Sequence, residues 1–480
     1  RTSNIGELMI ILGTNSIKAA GGFNVANSAR FGNVDGVSSA NDTLIRTPGS
    51  ASNRKTFTIS FWMKRSELQT GDTLQQVIGQ QASGYFRLTL GSNEQGDILR
   101  FYGGDGFEFR SKIFVRDTSA WYHIVLAMDT TQGTASNRAK LYVNGVQQTE
   151  FYTANYPNQN TDQAWNVAAE TRIGSGDNGG GGFSGYLCEV VNIDGAALAP
   201  TSFGEFDDSG IWKPINVSGL TFGTNGFYLD FEDSGDLGDD ESGNGNDFAE
   251  TGLDATHQST DTCTNNSATI GTLFMGLNTP TFSEGNLQSY SSAAGLAVIP
   301  SSIGLASGKW YAELKYAATS SNDNTGIGIN MDPASSNQQN TEQGGYTFGY
   351  AASTGGYTPY QANQSGSGPT YTVGNIMGIY MDLDNMKLYF SKNGTLNSST
   401  GLTINVSNTG FYYFCVQDYT STSNFWTWQW NFGAGCPFAI SSGNTDANGY
   451  GNFEYSPTIT GDGASKDFFA CNTKNLAEYG

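Results

Sequence analysis

The sequence predicts an all-β protein, two antiparallel β-sandwiches in tandem. Strand-like runs recur roughly every 8 to 15 residues, each closed by Gly, Asn or Asp, and almost nothing has helical period. The chain of 480 residues holds 63 Gly, 29 Phe, 24 Tyr and 8 Trp, a mixture that suits short strands rich in aromatic and β-branched residues joined by tight turns. Composition then shifts between about Pro200 and Thr264, where apolar runs thin and acids gather, so the β pattern falls into two halves.

The elements follow in order. Residues 1–20 read as a linker or attachment segment, and 21–205 as the first sandwich. Within it Phe57 to Met63, Tyr85 to Leu90 and Trp121 to Met128 are strands, the last apolar on both faces as a central sandwich strand should be. Lys140 to Gln147 is a hairpin in which Asn144-Gly145 supplies the two positive φ angles of a type I′ turn. A Gly-rich loop, Gly174 to Gly182, precedes the long strand Phe183 to Ile193. Residues 206–279 read as an acidic connector, centred on Asp230 to Asp247. The second sandwich spans 280–435: Lys309 to Lys315 alternates cleanly, Ile376 to Phe390 turns at Asp384-Asn385, and Trp426, Trp428 and Trp430 share one face. That face reads as core or inter-domain contact rather than a sugar platform. Residues 436–480 form a C-terminal extension.

Charge and cysteine bound the function. A net charge of −21, with no basic run, makes nucleic acid a poor partner. No segment approaches the roughly 20 apolar residues of a membrane span; the longest candidate is Leu8 to Leu12. Cys188, Cys263, Cys415, Cys436 and Cys471 show neither metal spacing nor a disulfide framework, so they read as reduced, buried thiols of a chain folded in a cytoplasm. The chain opens on Arg1 without signal architecture, which reads as a processed product or part of a longer protein.

Two resemblances attach to these motifs. Thr58 to Arg65, Trp121 to Val125, Lys140 to Val146 and Phe183 to Val190, with Asp194 to Leu198, resemble laminin-G-like, concanavalin A-type jelly rolls. Lys309 to Glu313, Gly378 to Asp384, Leu388 to Gly394 and Trp430 to Gly433 resemble a SPRY domain. The pairing of the two, with the segments Gly226 to Asp247, Pro280 to Leu287, Gly451 to Tyr455 and Cys471 to Leu476, is similar to structural proteins of tailed phages, marine ones among them. That resemblance implies a homo-oligomeric tail-fibre or head-decoration component on the virion surface, contacting other virion proteins and a host-cell glycan.

The residues argue against an enzyme. A retaining glycosidase needs two carboxylates about 5 Å apart, on one strand at i and i+2 or i+4. Glu189 and Asp194 are five apart and face opposite ways, Asp230 and Glu232 lack a continuing strand, and Asp382 and Asp384 run into a turn. His123 lies between apolar neighbours and reads as a packed core histidine, and His257 has no evident partner. Calcium is the one cofactor with support, from the oxygen-rich set Asp236, Asp239, Asp240, Asn244, Asn246 and Asp247. The competing reading is a solvated acidic turn. For sugar binding, the candidates are Tyr346, Tyr350, Tyr357 and Tyr360 in the second half and Tyr152, Tyr156 and Trp165 in the first, aromatics set among Asn, Gln, Gly and Ser. The alternative is that these rings pack between subunits of a purely structural protein, and a glycan-cleaving enzyme stands third.

Overall fold

A computed structural model describes residues 22–32, 42–68, 74–82, 84–91, 96–175, 181–272, 280–291, 295–320, 325–331, 347–351, 357–358, 370–404, 406–407, 409–420, 425–461 and 464–480. The protein is all-β, and among these residues Thr473–Tyr479 is the one α-helix.

The first sandwich is built from two eight-stranded sheets. Along the first sheet run Val146–Gln147, Ala139–Val143, Trp121–Asp129, Thr56–Arg65, Gly185–Asp194, Ser28–Phe31 and Gln258–Ser259, with Phe227–Leu229 paired to Gly185–Asp194. The second runs Phe151–Asn155, Glu108–Phe114, Ile98–Gly103, Tyr85–Leu90, Gln75–Gln81, Thr171–Ile173, Thr43–Arg46 and Ala249–Thr251. The stretch read as an acidic connector therefore contributes two strands to the first sheet and one to the second, and its Leu237 and Phe248 enter the core.

Period-two alternation explains the packing. Phe57, Ile59, Phe61 and Met63 point between the sheets, against Phe86, Leu88, Phe101 and Phe109. Thr58, Ser60, Trp62 and Lys64 point the other way and are buried as well. Phe203, Val217, Phe222 and Tyr228 cover one part of that outer face, and Trp212, Cys263 and Val25 another. The Asn144-Gly145 turn takes φ of 47° and 77°, as the type I′ reading requires, and Asn393-Gly394 repeats it at 46° and 76°.

The second half is also an antiparallel sandwich. One sheet centres on Trp426–Asn431, Lys309–Thr319, Ile376–Asp382 and Lys387–Lys392; the other on Gly295–Pro300, Tyr413–Thr420, Thr325–Asn330 and Thr347–Ala351. Trp310, Ala312, Leu314, Trp426, Trp428 and Trp430 fill the space between them with Ile299, Ile327, Ile329, Phe414 and Val416. The tryptophan run is core, and Trp428 Nε1 donates to Thr325 Oγ1 at 3.1 Å.

The C-terminal extension is stitched to this sandwich. Phe469–Ala470 pairs in parallel with Lys309–Thr319, and the fully buried Glu313 of that strand collects the extension's backbone. Its carboxylate accepts from Glu454 N (3.0 Å), Tyr455 N (2.7 Å), Tyr311 Oη (3.0 Å) and Asn431 Nδ2 (3.0 Å). Glu313→Gln sets an amide NH2 against donors, so one buried group loses its partner at a cost of about 1–3 kcal/mol. The expected result is earlier proteolytic cleavage near residues 452–456; cleavage kinetics equal to those of the native protein would refute the clamp.

The two halves also touch. Tyr186 Oη donates to Gly285 O at 2.9 Å, Arg30 pairs with Glu284 at 3.1 Å, and Asn286 Nδ2 donates to Ser66 O at 2.6 Å.

Candidate functional site

The outer face of the first sheet is largely roofed by other segments; the outer face of the second sheet carries a different chemistry. Strand register places Arg172, Gly79, Arg87, Tyr102, Glu108 and Asn155 in one row across six neighbouring strands. In the adjacent row Arg100 lies opposite Arg110. Tyr85 and Arg87, Arg100 and Tyr102, Glu108 and Arg110 are i, i+2 pairs, so each strand turns two such residues to this face while Phe86, Leu88, Phe101 and Phe109 turn to the core.

The side chains interlock. The Arg100 guanidinium lies 4.0 Å from the Tyr102 ring centre, and that of Arg87 lies 4.6 Å from Tyr85; the two rings meet edge-on at 5.5 Å. Such stacks contribute about 0.5–1 kcal/mol each at exposed sites. Glu108 Oε1 bridges Arg100 (2.7 Å) and Arg110 (2.8 Å), which holds its carboxyl below the usual range even against its own partial burial. Arg172 pairs with Glu170 at 2.5 Å. Beneath the row, Gly79 leaves room for the side chain of Gln76, which any Cβ there would strike. Gln76 is buried, and its amide nitrogen has no hydrogen-bond partner among the described residues. The result is a layer of guanidinium N–H donors, those of Arg87 and Arg100 over tyrosine rings, with a carboxylate and amides interspersed. That is the donor and acceptor mixture a polyhydroxylated ligand requires.

The sequence-level candidates divide. Tyr152 is 47% exposed on the edge strand of this same sheet. Tyr156 packs edge-on against Phe109 at 5.2 Å at the margin of the core. Trp165 is corrected from a sugar-facing position to the core: it is 1% exposed, beside Phe57 and Phe86, with Nε1 donating to Asn192 Oδ1 at 3.0 Å. Tyr350 and Tyr357 sit opposite each other on paired strands, Thr347–Ala351 and Tyr357–Thr358. Their side chains, and Tyr346 and Tyr360 entirely, lie outside the described residues. Tyr85, Arg87, Arg100 and Tyr102 were missed, although the i, i+2 spacing of Arg and Tyr in two consecutive strands was a legible signal.

The calcium candidates do not converge as a carboxylate cage. Among the described residues no three His, Cys, Asp or Glu side chains are placed to hold a metal. The oxygens organise the loop itself. Asp240 accepts from Tyr228 N (2.9 Å), Ser242 N (3.0 Å), Ser242 Oγ (2.7 Å) and Asn246 N (2.8 Å). Asp247 accepts from Asp240 N at 3.2 Å, and Asp236 from Gly238 N at 3.1 Å. Asn244 and Asn246 donate to Gly223, Thr224 and Gly226 carbonyls, and Asn246 also accepts from Arg46. Asp239 is half-buried on the same loop, where burial and then the neighbouring Asp247, Asp236 and Asp233 raise its pKa.

Five of the six candidate catalytic carboxylates have a structural duty, and the sixth, Glu232, is exposed. Glu189 sits at a bulge with φ 51° and meets Tyr228 Oη at 2.9 Å on the outer face. Asp194 instead accepts from Asn53 N (3.0 Å), Asn166 Nδ2 (3.2 Å) and Asn225 N (2.9 Å). Asp382 caps its own turn through Asn385 N at 3.0 Å, and Asp384 accepts from Gly308 N at 2.8 Å. Asp230 accepts from Glu232 N at 2.9 Å, a local turn contact. Ser60 Oγ and His123 Nε2 lie 2.9 Å apart, yet this pair is not a nucleophile and base. Trp212 Nε1 donates to His123 Nδ1 at 2.9 Å, so a neutral ring carries its proton on Nε2 and donates it to Ser60. Burial pushes the imidazole down to about 3. His257 closes a capping box with Asp254.

Comparison with known proteins adds the following. A family model described as the concanavalin A-like lectin/glucanases superfamily matches residues 38–200. No curated protein matches the chain. Among solved structures, the SPRY domain of human HERC1 is similar at 14% identity, covering 35% of this chain and 99% of its own, with a TM-score of 0.28. A heptameric SAP-like pentraxin from Limulus polyphemus is similar at 15% identity, covering 37% of this chain and 80% of its own, TM-score 0.27. A carbohydrate-binding protein from Bacteroides ovatus, so described provisionally, is similar at 17% identity, covering 41% of this chain and 62% of its own, TM-score 0.26.

Proposed function

We propose that this chain is a non-enzymatic carbohydrate-binding protein that recognises a host-cell glycan from the surface of a tailed-phage particle. The single observation that carries sugar binding is the arginine–tyrosine face of the second sheet. Every residue of that face falls within 38–200, the span matched by the lectin and glucanase family. The non-enzymatic reading rests on the candidate carboxylates: five are engaged in a turn, a bulge or a core contact, and Glu232 is exposed. The virion setting, the homo-oligomer, the contacts to other virion proteins and the SPRY-like character of the second sandwich stand on the sequence resemblance. Five free, buried cysteines agree with folding in a reducing host cytoplasm.

The test is a glycan array and a host-cell binding assay with the full chain, repeated with a calcium chelator. Two variants accompany it, Arg87→Ala with Arg100→Ala, and Tyr350→Ala with Tyr357→Ala. The expected result is saturable binding, insensitive to chelation, weakened at least tenfold (about 1.4 kcal/mol) by the arginine pair. Loss confined to the tyrosine pair would move the site to the second sandwich. No binding by a folded, assembled protein would leave a purely structural fibre or decoration subunit.

A further inference from the structure

A cavity of about 350 Å3 opens on the first sheet, on the opposite side of the sandwich from the arginine–tyrosine face. Its floor comes from two adjacent strands: Ala127 and Asp129 of one, Lys140 and Tyr142 of the other, with Ala127 directly opposite Lys140. The segment that roofs this sheet begins here with Ala197, Leu198 and Ala199, and the two alanines leave the space open. Gln132 and Asn137, from the turn joining the two strands, complete the rim. The volume lies at the lower end of the roughly 300–1,000 Å3 usual for small-molecule sites, enough for one or two rings and not for an extended chain.

The rim is held in place before any ligand arrives. Asp129 accepts from Thr131 N (3.0 Å), Thr131 Oγ1 (2.6 Å) and Gln132 Nε2 (2.6 Å). Arg138 ties the same turn through Gln132 O (2.8 Å), Gly133 O (2.9 Å) and Pro157 O (3.1 Å). Ordering entropy is thus largely spent in folding rather than in binding. Lys140 has no ion pair or side-chain hydrogen bond among the described residues, in a chain with 44 acidic residues.

We propose that this cavity is a second carbohydrate site, taking one neutral pyranose ring at the end of a glycan. The formal charges of Asp129 and Lys140 cancel, so a neutral ligand meets no net field. A sugar hydroxyl both donates and accepts, and neighbouring hydroxyls can satisfy the Asp129 carboxylate on one side and the Lys140 ammonium and Asn137 amide on the other. The Tyr142 ring and the alanine wall offer an apolar surface to the sugar's C–H face. A uronate would gain Lys140 but bring its charge to Asp129. The site stands independently of the arginine–tyrosine face and survives if that reading fails.

Saturation-transfer NMR of the full chain tests it, with methyl pyranosides of neutral hexoses and N-acetylhexosamines set against glucuronic acid. Lys140→Met removes the donor and Ala127→Leu fills the floor; Ala199→Trp, at an exposed rim position, fills the cavity without touching a strand. Each substitution is made in the Arg87→Ala with Arg100→Ala background, which silences the other face; weak, roughly millimolar binding of a neutral pyranoside is expected there, reduced at least tenfold by each of the three. Absence of neutral pyranoside binding, binding that survives Ala199→Trp, or preference for the uronate would each overturn the proposal. Binding by the native protein that is absent from the arginine background would also overturn it and assign the sugar to the other face.

Discussion

Asp261→Ala is expected to destabilise the protein by about 3–5 kcal/mol, read as a fall in the urea midpoint without loss of slope. Lys64 is fully buried on the outer face of the first sheet, and its ammonium reaches Asp261 Oδ2 at 2.7 Å, Asn266 Oδ1 at 2.7 Å and Ser267 O at 2.9 Å. Asp261 in turn accepts from Trp121 Nε1 at 3.2 Å and Ser267 N at 3.1 Å. Removing the carboxylate leaves a buried cation with only neutral partners and a tryptophan N–H with none. The cost comes from that uncompensated charge, not from the worth of the intact pair. Lys64→Met combined with Asp261→Leu should therefore recover much of the loss, because two apolar groups carry no desolvation debt. A single variant within 1 kcal/mol of the native protein would show the pair to be hydrated. Asn266 N donates to Thr473 Oγ1 at 3.0 Å, so the same node holds the start of the C-terminal helix. Loosening of that helix should accompany the loss, visible as faster amide exchange at residues 473–479.

What the sequence revealed and what it hid divide along range. Local chemistry was legible: Asn144-Gly145 announces its turn because few other residues accept two positive φ angles, and His123 announces burial by its apolar neighbours. The alternating tryptophans were legible as one face, and as core. Trp165 misled, because its neighbours Gln163 and Asn166 look like surface polar residues but are 1% and 2% exposed and hydrogen-bonded inside the protein. The Lys64–Asp261 node was illegible, its partners lying 197 residues apart. The absence of any basic run was read correctly, yet four arginines from four different strands assemble on one face, which only strand register can reveal. The acidic stretch looked like a linker because charge density signals solvent. The cue that it folds back onto the sandwich is its few large apolar residues, Phe231, Leu237 and Phe248 among them.

Glu189 makes the second large effect, and its sign depends on pH. The residue sits at a bulge that turns its carboxyl onto the roofed outer face, against Tyr228 Oη at 2.9 Å. Burial pushes it up to about 8, with Asp230 and Glu232 adding to the rise, against 4.5 for the ordinary carboxyl. Below about pH 4.5 the folded and unfolded chains are both protonated there, and the full contribution to stability is present. Between about 4.5 and 8 the folded chain keeps a proton that the unfolded chain has released, so stability falls as pH rises, by about 1.4 kcal/mol per unit. Above about 8 the contribution is gone. Glu189→Gln is neutral throughout and keeps an oxygen for Tyr228, so it removes this slope. The variant should match the native protein near pH 5 and exceed it by on the order of 4 kcal/mol at pH 8. Glu313, which burial raises to about 7, titrates with the same sign, but it is present in both proteins and cancels in the difference. Urea unfolding at pH 5, 6.5 and 8 measures the gap. A constant difference across that range would mean that Glu189 is ionised in the folded protein and that water reaches it beneath the roof formed by Phe203, Phe222 and Tyr228.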